Sequence, residues 1–204
     1  HSLPATFFEN YPGDEQPVTG TGESIQKYAS GALRPAWEDT KLPYSQLWHY
    51  KWDRTYEALW NLAQVDSSPF DDVAMEYSDP TTGGSVLATM ACWIQLIRPG
   101  IHTRAHRHTT SAVYHVFEGE GYSIIDGQRF DWSRGDLFVV PSWSWHEFGN
   151  DSSQEAILFS IQDNPVIKSL ALFREEAYEQ NAGHQSVTGK FSGLQRQGTS
   201  TNPV

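Results

Sequence analysis

Hydrophobic and polar residues change their spacing along the chain, and these changes divide it into segments. Between residues 3 and 50, proline and glycine recur without a regular apolar period, which predicts an extended arm over residues 1–52. From Asp53 to Gln64 the apolar residues recur at helical spacing and predict one short amphipathic helix. Beyond this helix the apolar runs are short and lie between turn residues, which is typical of β-strands.

Several of these short runs are predicted to be strands, and their close spacing favours an all-β sandwich or barrel. The runs are Val73 to Tyr77, Val86 to Ile97, Ala112 to Glu118, Tyr122 to Asp126, Asp136 to Val140 and Ala156 to Gln162. Asp126-Gly127 predicts a tight hairpin turn, because both residue types are common where φ is positive.

A second short helix is predicted to begin at Asn164-Pro165, with the Asn164 side chain as N-cap, and to continue through Tyr178. The remaining residues are rich in glycine, serine, threonine and glutamine, a composition typical of a flexible tail. We therefore predict a folded domain over residues 53–180, with two short flanking helices, and a flexible tail over residues 181–204.

Composition narrows the functional classes. The chain has 14 Lys and Arg against 25 Asp and Glu, and its net charge of -11 repels polyphosphate and anionic lipid, so we expect no nucleic-acid and no membrane partner. The single cysteine, Cys92, excludes an internal disulfide and fits a reducing compartment, so a cytoplasmic location is expected. The aromatic residues of the arm predict that it lies against the domain or against a partner.

Three histidines have a spacing that suits a metal site. On a strand, His106 and His108 project from one face, and His146 follows a second set of turn residues. Three neutral imidazoles that converge on one point suit Fe(II), Mn(II), Zn(II), Ni(II) or Cu(II). The simpler alternative is a set of hydrogen-bonded barrel histidines without an ion. If Tyr114 points inward, alternation places His115 outside such a site.

The residues around these histidines resemble the two cupin motifs. The matching patterns are Gly100-x5-His106-x-His108 and Gly135-x5-Pro141-x4-His146-x3-Asn150. The resemblance implies a double-stranded β-helix, the jelly-roll cupin barrel, with a metal inside its mouth. The usual motif carries glutamate four residues after the second histidine; Ala112 stands there, so the resemblance implies a three-histidine site.

A longer resemblance, over roughly residues 7 to 180, is to the second cupin of gentisate 1,2-dioxygenases, which are two-cupin enzymes that cleave an aromatic ring. The similar segments include HTRAHRHTTSAVYHVFEGEG, IDGQRFDW and GDLFVVPSWSWHEF. This resemblance implies Fe(II) as cofactor, a small aromatic acid of the gentisate class and O2 as substrates, and a chain that is the second half of a bicupin. It also implies a homo-oligomer or a partner cupin domain.

The substrate-binding positions of the family's first cupin can be transferred one by one. The resemblance places Gln95 at a substrate-binding glutamine, Tyr114 where the family has a carboxylate-binding arginine, and Phe148 where it has a second histidine. A phenol cannot replace a bidentate guanidinium, so we expect this half to bind metal better than gentisate. Gln95 and Tyr114 are the candidate catalytic residues, and the predicted pocket lining consists of Arg104, Ala112, Trp143 and Phe148.

Three functional hypotheses follow. The first is an Fe(II)-dependent ring-cleaving dioxygenase of which this chain is the second cupin. The second is a non-catalytic cupin that supports the assembly of a partner domain. The third is a stand-alone metal cupin that isomerises or decarboxylates another small acid.

Overall fold

The computed structural model describes residues 20–28, 35–37 and 45–191. Its strands form two sheets, of five strands in the order β1-β2-β9-β4-β7 and of six strands in the order β10-β3-β8-β5-β6-β11. The strands are β1 (Val73–Tyr77), β2 (Ala91–Ile97), β3 (His106–His108), β4 (Ala112–Glu118), β5 (Glu120–Ile125), β6 (Gln128–Ser133), β7 (Leu137–Val140), β8 (His146–Gly149), β9 (Ala156–Gln162), β10 (Glu175–Ala177) and β11 (Gly189–Phe191). The helices are α1 (Glu23–Tyr28), α2 (Trp52–Ala63) and α3 (Asn164–Ser169).

The main hydrophobic core lies between the two sheets. Val116 of β4, Leu158 of β9 and Phe148 of β8 are each fully buried in it. A second core forms where α2 packs on the outer side of the five-stranded sheet, with Leu59 of the helix at its centre. Burial of apolar area in both cores is the main favourable term for this jelly roll. The all-β prediction is confirmed.

Several predicted elements match the observed ones, and the differences have local causes. The strand predicted from Val86 begins only at Ala91, and Glu120–Ile125 begins earlier than predicted. The hairpin prediction is confirmed, since Asp126 and Gly127 both have positive φ (46 and 79) between β5 and β6. Strand β8 was not predicted because all four of its residues are buried, so it lacks the alternation that marks a half-exposed strand.

Helix α2 lies within one residue of its predicted bounds, whereas the second predicted helix is wrong in length and cap. Helix α3 ends at Ser169, and the segment after it forms β10, which pairs with β3. The N-cap position is Asp163, and Asn164 is the first helical residue, with a buried Oδ1 that has no hydrogen-bond partner among the described residues. Positive φ at Ala171 (57) accompanies the change of direction.

The predicted arm and tail also differ from the structure. The arm contains the short helix α1, and its aromatic residues divide into two groups. Tyr50 and Trp52 pack on the domain, against Tyr77 and Phe117 at 5.2 and 4.6 Å between ring centroids, as predicted. Trp37 and Trp48 are 85% and 77% exposed, and Phe7, Phe8 and Tyr11 lie outside the described residues. Of the predicted flexible tail, residues 181–191 pack on the six-stranded sheet, where β11 pairs in parallel with β6. Residues 192–204 lie outside the described residues. In the described part of the chain, no helix is long and apolar enough to span a membrane.

Candidate metal centre

The three motif histidines meet at one place because two neighbouring strands carry them. His106 and His108 lie on β3, and the antiparallel register places His106 directly opposite His146 on β8. The ring centroids are 4.3 Å apart for His106 and His146, 4.9 Å for His108 and His146, and 5.4 Å for His106 and His108. One nitrogen from each ring lies within 4.8 Å of the others. The structure therefore brings the three predicted ligands, His106, His108 and His146, together at one point.

Hydrogen bonds hold two of these rings in defined orientations. His146 Nδ1 lies 3.0 Å from the Ser144 carbonyl oxygen, so Nδ1 carries the donated proton and Nε2 keeps a free lone pair. His108 Nδ1 lies 3.0 Å from the carbonyl oxygen of Thr110 and 2.6 Å from its Oγ1. Bonds of this kind fix the tautomer and ring orientation of metal-ligating histidines.

Two histidine nitrogens of this cluster are buried without a hydrogen-bond partner, as expected for atoms that bind a metal ion. His106 Nδ1 and His146 Nε2 are both buried and have no hydrogen-bond partner among the described residues. Buried polar atoms are almost always satisfied, so this pair requires an explanation. A divalent transition-metal ion between the rings would satisfy both, and the residues present fit such an ion.

Burial keeps the three imidazoles neutral. Desolvation, assisted by the neighbouring histidines, lowers the pKa of His106 to about 2 and that of His146 to about 4. Desolvation also lowers the pKa of His108, although its Thr110 hydrogen bond acts in the opposite direction. Only a neutral imidazole has a lone pair for a metal, so all three rings are ready to coordinate at neutral pH.

A cavity of about 220 Å³ opens onto two of the histidines, His106 and His108. Its lining combines charged, polar and aromatic residues: Asp71, Trp93, His106, His108, Thr110, Tyr114, Gln162, Asn164, Lys168, Phe173 and Glu175. Lys168 of α3 is the cationic side chain of this set, and its ammonium lies 5.2 Å from the centre of the Phe173 ring. The Nε1 of Trp93 is buried without a partner among the described residues.

The two predicted catalytic residues have different surroundings. Tyr114 lines the cavity, is 3% exposed and stacks on Phe138 with ring centroids 5.0 Å apart. Burial raises the pKa of its phenol, so it remains protonated and can donate a hydrogen bond. Gln95 does not line the cavity; its Nε2 donates to the Asp71 carbonyl oxygen at 2.9 Å and so anchors the segment that carries Asp71.

None of the four predicted pocket-lining residues lines this cavity. Ala112 and Phe148 are buried in the core between the sheets. The Trp143 ring faces the Arg107 guanidinium at 4.5 Å, on the opposite side of β3 from the two histidines, and Arg104 is an exposed side chain near Gly183. Alternation along β3 explains the position of Trp143: its partner Arg107 points away from the face that His106 and His108 share.

Sequence reasoning missed the acidic and basic side chains of the cavity wall. Asp71 precedes β1, Lys168 lies on α3 and Glu175 lies on β10, so residues far apart in sequence form one wall. Burial raises the pKa of the Asp71 carboxyl to about 6, even though a Ser68 hydroxyl donates to it at 3.3 Å. The Ser-x-x-Asp turn at residues 68–71 is the local signal that could have identified Asp71.

The buried histidines predict a pH-dependent stability of the metal-free protein. His106 and His146 have folded-state pKa values below their ordinary 6.5, so the unfolded chain binds protons first as the pH falls. Their contribution is therefore complete above pH 6.5, and each histidine loses about 1.4 kcal/mol per pH unit below it. Asp71, whose pKa is raised from 3.8 to about 6, offsets part of this loss between those values.

Urea unfolding in a chelator at pH 7, 6 and 5 measures this effect. We expect the free energy of unfolding to decrease at each step, and the decrease to be smaller in His106→Asn, which cannot titrate. Equal stability of the wild-type chain at pH 7 and pH 5 would contradict the neutral burial of these rings.

Comparisons with known proteins agree with this architecture. The family described as a cupin domain matches residues 93–162, from β2 to the end of β9. Residues 93–162 are therefore a cupin domain. Its histidine pair on β3 and third histidine on β8 occupy the two motifs that the sequence resembles.

Several of the similar proteins are named as 1,2-dioxygenases. A 5-aminosalicylate 1,2-dioxygenase of Comamonas sp is 39% identical over 95% of this chain and 52% of its own length. The gentisate 1,2-dioxygenase 1 of Aquipseudomonas alcaligenes is 31% identical over 83% of this chain and 49% of its own length. A crystal structure of salicylate 1,2-dioxygenase from Pseudoaminobacter salicylatoxidans with gentisate has a TM-score of 0.71 at 28% identity, covering 77% of this chain and 44% of that protein. The chain thus spans about half the length of the curated relatives it matches.

Proposed function

We propose that the chain is one cupin of a gentisate-type dioxygenase, which opens the ring of a hydroxylated aromatic acid with Fe(II) and O2. The observation that carries this proposal is the set of three neutral imidazoles, two with buried unpartnered nitrogens, beside a cavity that His106 and His108 line. The printed activities of the similar proteins support the choice of reaction. We also propose a cytoplasmic location, supported by the single cysteine.

His106, His108 and His146 would hold the ion. Bound Fe(II) would supply a route for electrons from an electron-rich ring to O2 and would favour the ionised form of a coordinated phenol. The protein supplies geometry: the Ser144 carbonyl and Thr110 hold two rings, and Phe70 packs on the third, with its ring centroid 4.9 Å from that of His106. Neutral ligands leave the full positive charge of the ion for an anionic substrate.

The cavity wall offers complementary groups to a hydroxylated acid. Lys168 can pair with a carboxylate in place of the arginine that Tyr114 replaces, and the indole N–H of Trp93 can donate to an oxygen. The unpartnered Oδ1 of Asn164 can accept a hydrogen bond from a hydroxyl group. The neutral phenol of Tyr114 donates without adding charge.

Oxygen uptake by the Fe(II)-loaded chain tests the proposal directly. Gentisate, 5-aminosalicylate and salicylate should be compared, with ring opening followed by absorbance, and benzoate serves as an acid without the hydroxyl group. Consumption of O2 with at least one hydroxylated acid and none with benzoate is the expected result. A fully iron-loaded chain that consumes no O2 with any of the three would contradict catalysis by this cupin alone.

The role of Lys168 gives a separate prediction. Lys168→Met should raise KM for the aromatic acid about 10-fold or more, because a charge-assisted hydrogen bond contributes roughly 1.5–3 kcal/mol, and should change kcat little. The matched control is Lys190→Met, since Lys190 pairs with Asp131 outside the cavity. An unchanged KM in Lys168→Met would remove Lys168 from substrate binding.

Support of a partner cupin is the second candidate function, and an exposed apolar face favours it. The outer side of the five-stranded sheet carries adjacent exposed residues on β4, β7 and β9: Val113, Phe117, Leu137, Val139 and Ile161. Contiguous apolar surface of this kind is typical of protein–protein contacts. A homo-oligomer or a partner cupin could cover it.

Sedimentation velocity tests the role of this face. We expect the wild-type chain to sediment as an oligomer and Leu137→Asp, which changes the most exposed residue of the face, to sediment as a monomer. Val187→Asp, at an exposed position of the C-terminal segment, is the matched control. A monomeric wild-type chain would contradict self-association and would leave the face to a partner cupin.

A further inference from the structure

A second group of potential ligands lies on the other side of β8. His146 and Glu147 are consecutive residues of one strand, so their side chains point to opposite faces. Glu147 is 0% exposed, and the segment after β10 covers it. His102, before β3, and His184, after the helical turn at Asn181–Gly183, complete the group.

The spacing of these three side chains is that of metal ligands. His184 Nδ1 lies 3.1 Å and His102 Nε2 lies 3.5 Å from the same carboxylate oxygen, Oε2 of Glu147. One ligand atom from each residue lies within 4.8 Å of the others, and the two imidazole centroids are 4.3 Å apart. Tetrahedral ligands at about 2.0–2.2 Å from one ion are about 3.3–3.6 Å from one another. The His102–Glu147 pair, at 3.5 Å, has this separation, and the His184–Glu147 pair, at 3.1 Å, is slightly closer.

The charge of Glu147 requires compensation that the neighbouring residues supply incompletely. A buried carboxylate is costly unless it is paired and hydrogen-bonded. Its other oxygen accepts a hydrogen bond from the Gln185 backbone N–H at 3.0 Å, and within the described part of the chain its ion-pair partners are only the two histidines. A shared divalent cation would neutralise the carboxylate, and the partial exposure of both imidazoles leaves a path for it.

The backbone around His184 is held independently of any ion. The Gly183 carbonyl accepts a hydrogen bond from the Ala105 N–H at 2.7 Å. Gly183 has φ of +93, a backbone conformation that favours glycine over residues with a Cβ. The fold therefore fixes the approach of His184 to Glu147.

We propose that His102, Glu147 and His184 form a second site for a divalent transition-metal ion such as Zn(II), distinct from the centre of His106, His108 and His146. Two imidazoles and one carboxylate are an established ligand set for Zn(II) and Fe(II). The site joins the C-terminal segment, through His184, to β8 and to the segment before β3. Its role is to hold residues 181–191 on the six-stranded sheet. The proposal rests on the fold and does not depend on the proposed dioxygenase activity.

Zinc titration of the chelator-treated full chain, followed by calorimetry, tests the proposal. We expect the wild-type chain to bind one equivalent more than His184→Ala and one more than His102→Ala, while His106→Ala loses a different equivalent. His49→Ala, an exposed histidine outside both clusters, should bind as the wild type does. Circular dichroism confirms that each variant is folded.

Limited proteolysis gives a readout that does not depend on counting equivalents. Saturating zinc should slow tryptic cleavage after Lys190 by roughly 10-fold or more in the wild-type chain and in His106→Ala, and should have no such effect in His184→Ala. Zinc binding that His184→Ala and His102→Ala leave unchanged, or cleavage that zinc does not slow in the wild-type chain, would overturn the proposal. In that case the cluster is a hydrogen-bonded one without an ion. Oxygen uptake is not read in either experiment, so failure of the dioxygenase proposal does not affect this test.

Discussion

His146→Ala should reduce metal-dependent oxygen uptake to below about 1% of the wild-type rate. Mutations that only disturb the partners of metal ligands cost about 10- to 100-fold, and loss of a ligand costs more. Here the loss also leaves both remaining imidazoles on the single strand β3, so the ion would be held from one side only. Metal content after dialysis and the rate of O2 consumption are the two measurements.

The matched control for this variant is His115→Ala. His115 lies on β4 between the inward-facing Tyr114 and Val116, is partly exposed and belongs to neither histidine cluster. It should retain both metal and activity. Full metal occupancy in His146→Ala would contradict the three-histidine centre, whereas normal occupancy of the wild-type chain without O2 uptake would contradict only the proposed reaction.

Phe148→Ala should lower the free energy of unfolding by about 3–5 kcal/mol. The Phe148 ring is 0% exposed in the core between the sheets, where it contacts Tyr114 with centroids 5.3 Å apart. Removing it leaves a cavity that close-packed neighbours can fill only partly. For a domain whose total stability is about 5–15 kcal/mol, this is a large fraction. Urea unfolding of the metal-free protein measures it.

A conservative change separates packing from substrate contact at this position. Phe148→Leu keeps most of the apolar volume and should cost below about 1.5 kcal/mol, with KM for the aromatic acid unchanged. A Phe148→Ala variant as stable as the wild type but with a raised KM would restore Phe148 to the pocket wall, as the family resemblance implies.

The three clustered histidines could be predicted from the sequence because two independent regularities mark them. Alternation along a strand puts His106 and His108 on one face, and His146 follows a second set of turn residues in the motif that the sequence resembles. What the sequence could not provide is the register that sets His106 opposite His146. The register could not be predicted because β8 itself was not recognised. Every residue of β8 is buried, so the strand lacks the alternation from which strands are recognised.

The cavity wall could not be predicted because its charged residues come from distant, weakly patterned segments. Lys168 lies on a six-residue helix whose start was predicted but whose packing beside the histidines was not. Asp71 lies in a turn that the Ser68 hydroxyl stabilises, and this turn has no hydrophobic periodicity. Local composition also predicted a flexible tail after residue 180. It gave no sign of the tertiary contacts that hold Gln185 and β11. Short segments of this kind gain their structure from the surface on which they pack.

The strand order has a consequence for where this cupin can be cut. Strand β3 lies between β8 and β10, so a polypeptide that stopped at residue 162, where the family match ends, would keep all three imidazoles. It would nevertheless expose the outer edge of β3 and lose Lys168, Phe173 and Glu175 from the wall. The unit that encloses the cavity therefore extends further towards the C-terminus than the recognisable domain, and excision guided by sequence similarity alone would yield the three histidines without their enclosure.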